Sequence, residues 1–174
     1  LVEISVPWWR GQAYYDEPGR GTYARDGGGV LISQAIHTID LALALAGRVR
    51  EVTAMTATTR FHEIEAEDVA VAGLRFDSGA AGWLTASTAS FPGASESIVL
   101  HFDKASLRLA EGVLEISWRD GRAERHGASA TTGGGADPMA FTHAWHQSVL
   151  EDFVSGVRDG RAPAISGRDA LAAH

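Results

Sequence analysis

His37 has Ser33 four residues before it and Asp40 three after. In a helix, positions i, i+4 and i+7 share one face, so these three form a polar seam. A histidine beside a hydroxyl and a carboxylate suits proton transfer, because an imidazole gives and takes a proton near neutrality. A helical histidine bonded to a nearby aspartate also occurs as a purely structural pair, and the spacing alone leaves both readings open. A second group lies upstream. Trp8, Trp9, Arg10, Tyr14 and Tyr15 combine flat apolar faces with hydrogen-bonding edges, which suits a polyhydroxylated ligand. Packing at a loop-to-sheet junction is the competing account, and for the two tryptophans the stronger one. His143 and His146, three apart, resemble half a metal site, as do His37 and Asp40. Two ligands do not make a zinc site, so no metal is expected.

The elements that must position these residues follow from periodicity. Leu1 to Pro7 alternates as a half-buried strand does. Gly11 to Gly29 reads as an irregular, aromatic, glycine-rich loop. A helix is expected from Gly28 to Ala46, closed by Gly47. Strands are expected over 49–61, 68–76, 80–90, 96–102, 105–110, 113–118 and 122–126, joined by turns too short for anything but antiparallel neighbours. Residues 127–138 form a Gly/Ala/Thr tract read as a mobile loop. A second helix is expected over 141–157, and Ser166 is suited to capping a third. The fold class is α+β: an open, mostly antiparallel β-sheet with helices on one face. Phe76, Trp83, Leu100, Leu107, Leu109 and Trp118 would be too many large apolar groups to leave wet on the other face. They point either to a second copy or all to the helices.

Composition excludes several classes. The chain has 174 residues, 45% of them hydrophobic, and a net charge of −7. That is one domain with a core of useful size. No basic cluster is present, so nucleic acid is not an expected partner. No apolar run is long enough to span a membrane, and none is expected as a partner. The absence of cysteine fits a reducing cytoplasm. Neither Gly27–Gly29 nor Gly133–Gly135 has a phosphate-loop pattern, and no Gly-x-Gly-x-x-Gly is present. The first triplet suits close approach to a ligand at a helix N-terminus, or a plain tight bend. No Gly-x-Ser-x-Gly elbow supports a hydrolase.

Residues 27–47, GGGVLISQAIHTIDLALALAG, resemble the substrate-domain helix of the glucose–fructose oxidoreductase, inositol dehydrogenase and MocA (Gfo/Idh/MocA) family. Pro7 to Asp16 is similar to that family's aromatic and arginine segment after its first substrate-domain strand. His146, Leu150, Asp152, Phe153, Gly160, Arg161 and Pro163 resemble its late helix and following turn. The resemblance implies that residues 1–174 are a C-terminal substrate-binding and oligomerisation domain, with an N-terminal Rossmann domain outside this chain. That domain would bind NAD or NADP and supply a lysine that cooperates with His37. His37 would be the proton donor and acceptor at the substrate hydroxyl. Arg10, Tyr15, Ser33, Asp40 and His146 would contact a sugar, polyol or related alcohol. Ser33 stands where many members have Asp or Asn, and a hydroxyl cannot supply a carboxylate. A homo-oligomer through the sheet face is implied. The expected function is that of an NAD(P)-dependent oxidoreductase inactive as this piece alone. A non-catalytic sugar-sensing or assembly subunit of the same fold is the alternative, since fold does not settle function.

Overall fold

The computed structural model describes residues 1–129 and 143–174. The tract 127–138 and the start of the helix expected at Phe141 fall partly outside those residues. The described chain runs β1 (Val2–Pro7), α1 (Gln12–Tyr15), α2 (Tyr23–Asp26), a π-helical turn (Leu31–Ala35) and α3 (Ile36–Ala46). Strands β2 (Val49–Ala57), β3 (Val69–Phe76), β4 (Ala81–Ser87), β5 (Ser97–His101), β6 (Ala105–Ala110), β7 (Val113–Trp118) and β8 (Ala123–His126) follow. Helix α4 (Ala144–Asp159), α5 (Gly167–Ala170) and a 3-10 turn (Leu171–Ala173) close it.

The eight strands make one sheet in the order β2-β3-β4-β1-β5-β6-β7-β8. Only β1 and β4 pair in parallel; every other pair is antiparallel. The N-terminal strand therefore lies at the centre, which puts the segment after Pro7 over the middle of the sheet. The α+β expectation holds, and all eight strands lie within a few residues of their expected bounds. The loop expected over 11–29 contains two single-turn helices instead. Ser166 caps α5 in a reciprocal box with Asp169, worth about 1 kcal/mol.

One face of the sheet carries the core. Val2, Ile4 and Val6 alternate inward on β1; Ala70, Ala72, Leu74 and Phe76 do so on β3. Val30, Ala35 and Ala42 pack on them from the helical side. The register settles the six large residues named above. Leu107 and Leu109 lie opposite Leu100 and Ile98, and Ala105 pairs with Trp118, so these share the helix side with Phe76. Only Trp83 points outward. The outer row runs Gly73, Trp83, Glu3, Val99, Arg108, Glu115, Arg125, a mixture of charge and apolar surface rather than an apolar sheet.

Residues Tyr23–Ala46 are together long and apolar enough to cross a membrane by composition. The stretch is broken, however, where α2 ends at Gly27 in the left-handed conformation. Helix α3 packs on the sheet from one side of β1, leaving an apolar groove of about 550 Å³ between Ile32, Ile36, Ile39 and the exposed edge strand β2. Helix α4 is different. Apart from Gly156 it is exposed or half-exposed throughout, including Trp145, Val149, Leu150 and Phe153.

Candidate functional site

The entry to α3 is built by a residue far away in sequence. Val30 N donates to the Glu67 carbonyl at 2.8 Å. Gly29 N and Leu31 N donate to the two Glu67 carboxylate oxygens at 3.0 and 3.2 Å. A carboxylate at this end satisfies open N–H groups and meets the positive end of the helix dipole. A Cβ on Gly29 would stand 1.8 Å from the Glu67 carbonyl oxygen. The close approach suggested by the glycine triplet is therefore made to the chain's own Glu67, not to a ligand. An anionic dinucleotide does not fit here, because a carboxylate already fills the position a phosphate would take.

The helix then opens with the π-helical turn, a feature often found at functional sites. Ser33 lies in it. Its hydroxyl donates back to the Gly29 carbonyl at 2.5 Å and lies 2.5 Å from Gln34 Oε1. Gln34 is buried and its amide donates to the Tyr14 hydroxyl at 3.4 Å. His37 and Asp40 follow on the exposed side with Ser33. Among the described residues no hydrogen bond joins His37 to either neighbour. The seam is a shared face and not a bonded triad.

The aromatic segment lies at the other end of that chain of bonds. Trp9 bridges to Ala89, and Arg10 N donates to the Thr88 carbonyl at 2.8 Å, which extends the central strand into the site. The Arg10 guanidinium sits 5.0 Å from the Trp8 ring and 5.6 Å from the Tyr14 ring, and Nη1 donates to the Trp9 carbonyl at 2.8 Å. Burial pulls its pKa below the ordinary value, while the Tyr14 and Tyr15 hydroxyls act the other way. Arg20 covers the Tyr14 ring at 4.1 Å. Arg10, Tyr14, Gln34 and Ser33 thus connect in space, one turn from His37.

Tyr15 lies behind this group. It is buried, its hydroxyl lies 2.7 Å from Thr88 Oγ1, and its ring lies against His62 at 4.8 Å. Tyr14, not Tyr15, has its ring beside the Arg10 guanidinium. Burial pushes the Tyr15 phenol up to about 12, with the Thr88 bond opposing it. Between the unfolded phenol value near ~10 and that folded value, the folded state keeps a proton the unfolded state has lost. Its stability contribution is complete below ~pH 10 and is lost as pH rises towards 12. An ultraviolet titration should show one of the three tyrosines ionising late, and Tyr15→Phe should remove that late phase. His146 lies on α4 in an open groove with His143, Gln147, Leu150 and Arg158; none of the other candidates lines it. Among the described residues no group of three or more metal-ligating side chains converges.

A family model described as the GFO/IDH/MocA C-terminal domain matches residues 1–108. The chain belongs to this family. Myo-inositol 2-dehydrogenase of Thermotoga maritima is 31% identical over 156 residues, covering 84% of this chain and 44% of that protein. The WlbA dehydrogenase of Bordetella pertussis, solved with NADH and UDP-GlcNAcA, is 30% identical, with a TM-score of 0.74 over 99% of this chain and 48% of that one. A levoglucosan dehydrogenase at 18% identity and a TM-score of 0.73 shares the fold. This Gfo/Idh/MocA chain spans about half the length of the relatives it matches. The resemblance in the helix, the aromatic segment and the late helix had pointed to the family correctly.

Several residues of this Gfo/Idh/MocA domain escaped sequence reasoning. Gln34 shares the inward face with Val30, Thr38 and Ala42 at four-residue spacing, but a polar residue there carries no apolar signal. Glu67 reaches the triplet across 38 residues. The buried pair His62 and Asp68 has no periodic signal, since it lies in the irregular connection before β3.

Proposed function

We propose that this chain is the substrate-binding half of an NAD(P)-dependent dehydrogenase acting on a sugar, polyol or related alcohol. The observation that carries the reading is His37, exposed on α3 and one turn from the connected Arg10, Tyr14, Gln34 and Ser33. Oxidising a carbinol to a carbonyl removes a hydride and a proton, and the nicotinamide accepts the hydride. This chain's part is the other half. His37 takes the hydroxyl proton, Arg10 and the rings of Trp8 and Tyr14 hold the polyhydroxylated body, and Asp40 contacts its hydroxyls, with Ser33, whose proton is given within its own helix, left only to accept from them. Positioning of this kind lowers the barrier by supplying the orientation in advance. Tyr15 supports the wall from behind through Thr88. We assign His146 no part. Glu67 occupies the glycine-rich start of the His37 helix, and the dinucleotide would be held outside this chain by a Rossmann domain.

Support comes from the relatives: a myo-inositol 2-dehydrogenase is similar over 84% of the chain, and the WlbA dehydrogenase solved with NADH and UDP-GlcNAcA shares the fold over 99% of it. The sensing or assembly subunit remains the second reading, favoured by one observation: Ser33 turns its hydroxyl onto its own helix. A panel of polyols and nucleotide sugars with NAD and NADP separates them. Nicotinamide reduction supports the enzyme; sugar binding without reduction supports the subunit.

We also propose self-association through the outer sheet face. Met55, Val71 and Trp83 share it and are 64%, 41% and 41% exposed, beside the ion pair Arg75–Glu51. Sedimentation should give a dimer or larger species. Trp83→Glu should shift it to monomer with little change in Tm, because Trp83 lies outside the core. A monomeric parent at high concentration would remove this part of the reading.

A further inference from the structure

His62 and Asp68 are the most deeply buried titratable pair described, with both side chains fully shielded from solvent. Neither reaches the exposed face of His37, so neither takes part in the chemistry directly. Their bonds point elsewhere. His62 Nε2 lies 2.7 Å from the Arg10 carbonyl, which can only accept, so this nitrogen donates. His62 Nδ1 lies 2.7 Å from Asp68 Oδ2. The Asp68 carboxylate also accepts from Thr59 N at 2.8 Å and from the Thr59 hydroxyl at 2.6 Å. The imidazole is fixed at both ends, and the rings of Trp9 and Tyr15 flank it at 5.9 and 4.8 Å.

A buried ion pair is rarely the cheapest way to stabilise a fold, because apolar side chains of the same volume do as well. What such a pair supplies is direction. Here the direction ends on the backbone of Arg10, whose amide is already held by Thr88. With its carbonyl and amide both tied, the Arg10 backbone is fixed, and its buried side chain lies against the Trp8 and Tyr14 rings. The same connection, residues 59–68, also ends in Glu67, which holds the start of the His37 helix. One segment therefore grips both halves of the candidate site.

We propose that the His62–Asp68 pair is a positioning device that aims Arg10 at the substrate and, with Glu67, sets its placement relative to His37. The proposal rests on the reading of Arg10 as a substrate-binding side chain. His62 and Asp68 are positioning residues and touch no substrate.

The test has two arms. In the first, nitrogen-15 NMR of the 174-residue chain follows the His62 ring N–H and Arg10 Nε–H signals. The parent should show a slowly exchanging ring Nε2–H and one sharp Arg10 signal. His62→Gln should broaden or shift the Arg10 signal while the amide signals of β3 and β4 persist. In the second, kinetics use the enzyme containing this domain, with myo-inositol and UDP-GlcNAcA as probes. His62→Gln should raise KM by roughly tenfold, the worth of one charge-assisted contact, and change kcat far less. In an Arg10→Ala background it should add nothing, because its effect passes through Arg10. If His62→Gln does not fold, Thr59→Val replaces it, removing one donor to Asp68, and the same shifts should appear at smaller size. An Arg10 signal that stays put in a folded variant, or a KM effect that simply adds to that of Arg10→Ala, would overturn the proposal. Failure of the parent enzyme to oxidise either probe counts against the dehydrogenase reading instead, and the NMR arm then decides on the pair.

Discussion

If the proposed function holds, His37→Asn in the full-length protein that carries this domain should lower kcat by roughly 10²- to 10⁴-fold, the usual worth of a positioned acid–base group. The fold should survive. His37 is exposed on α3, makes no side-chain bond among the described residues, and is replaced by a polar group of similar size. Substrate affinity should change less than kcat, because the proton is in flight chiefly in the transition state. Asp40→Asn should cost less than His37→Asn, since no bond ties Asp40 to the imidazole. Ser33→Ala should be milder still, because its hydroxyl is spent on Gly29 and Gln34. Single-turnover kinetics with Tm measured on the same samples separate loss of chemistry from loss of structure. A His37→Asn enzyme with parental kcat would return this residue to a surface role and favour the sensing subunit.

Gly29→Ala should be strongly destabilising. The new methyl would meet the Glu67 carbonyl oxygen at 1.8 Å and the Glu67 carboxyl carbon at 2.7 Å. Either the Val30-to-Glu67 bond breaks or α3 shifts on the sheet. Overpacking plus lost helix-start bonds amounts to about 2 to 5 kcal/mol, or a fall in Tm on the order of 10 °C for a domain of this size. Gly167→Ala is the control. A Cβ there meets nothing within 4 Å and lies inside α5, so it should be neutral or slightly stabilising. Equal Tm values for the two variants would mean that Glu67 does not hold the helix start as described.

The strands were legible because they alternate. Val2, Ile4 and Val6, or Ala70 to Phe76, need only a period of two to be placed. The helix around His37 was legible for the same kind of reason, and its ending at Gly47 follows from a glycine at a helix end. Side-chain partners were another matter. Nothing local tells Glu67 that it will close on Gly29, or His62 that it will face the Arg10 carbonyl 52 residues away. The helical wheel puts Gln34 on the inward face with Val30, Thr38 and Ala42, but nothing local says that its amide will meet the Tyr14 hydroxyl. The six large apolar strand residues were read by type without register, and register sends five of them to the helix side. Tyr14 and Tyr15 are adjacent and chemically identical, so only the bend of α1 decides that Tyr14 meets Arg10 while Tyr15 meets Thr88.

The central claim is that His37 carries a proton for an alcohol oxidation, and chemical rescue tests it most directly. His37→Ala leaves an exposed gap on α3 that a free imidazole can enter. In the full-length enzyme, added imidazole should restore a substantial part of the lost turnover in a saturable way, and a non-basic ring of the same size should not. Parental turnover in His37→Ala without any imidazole would contradict the account.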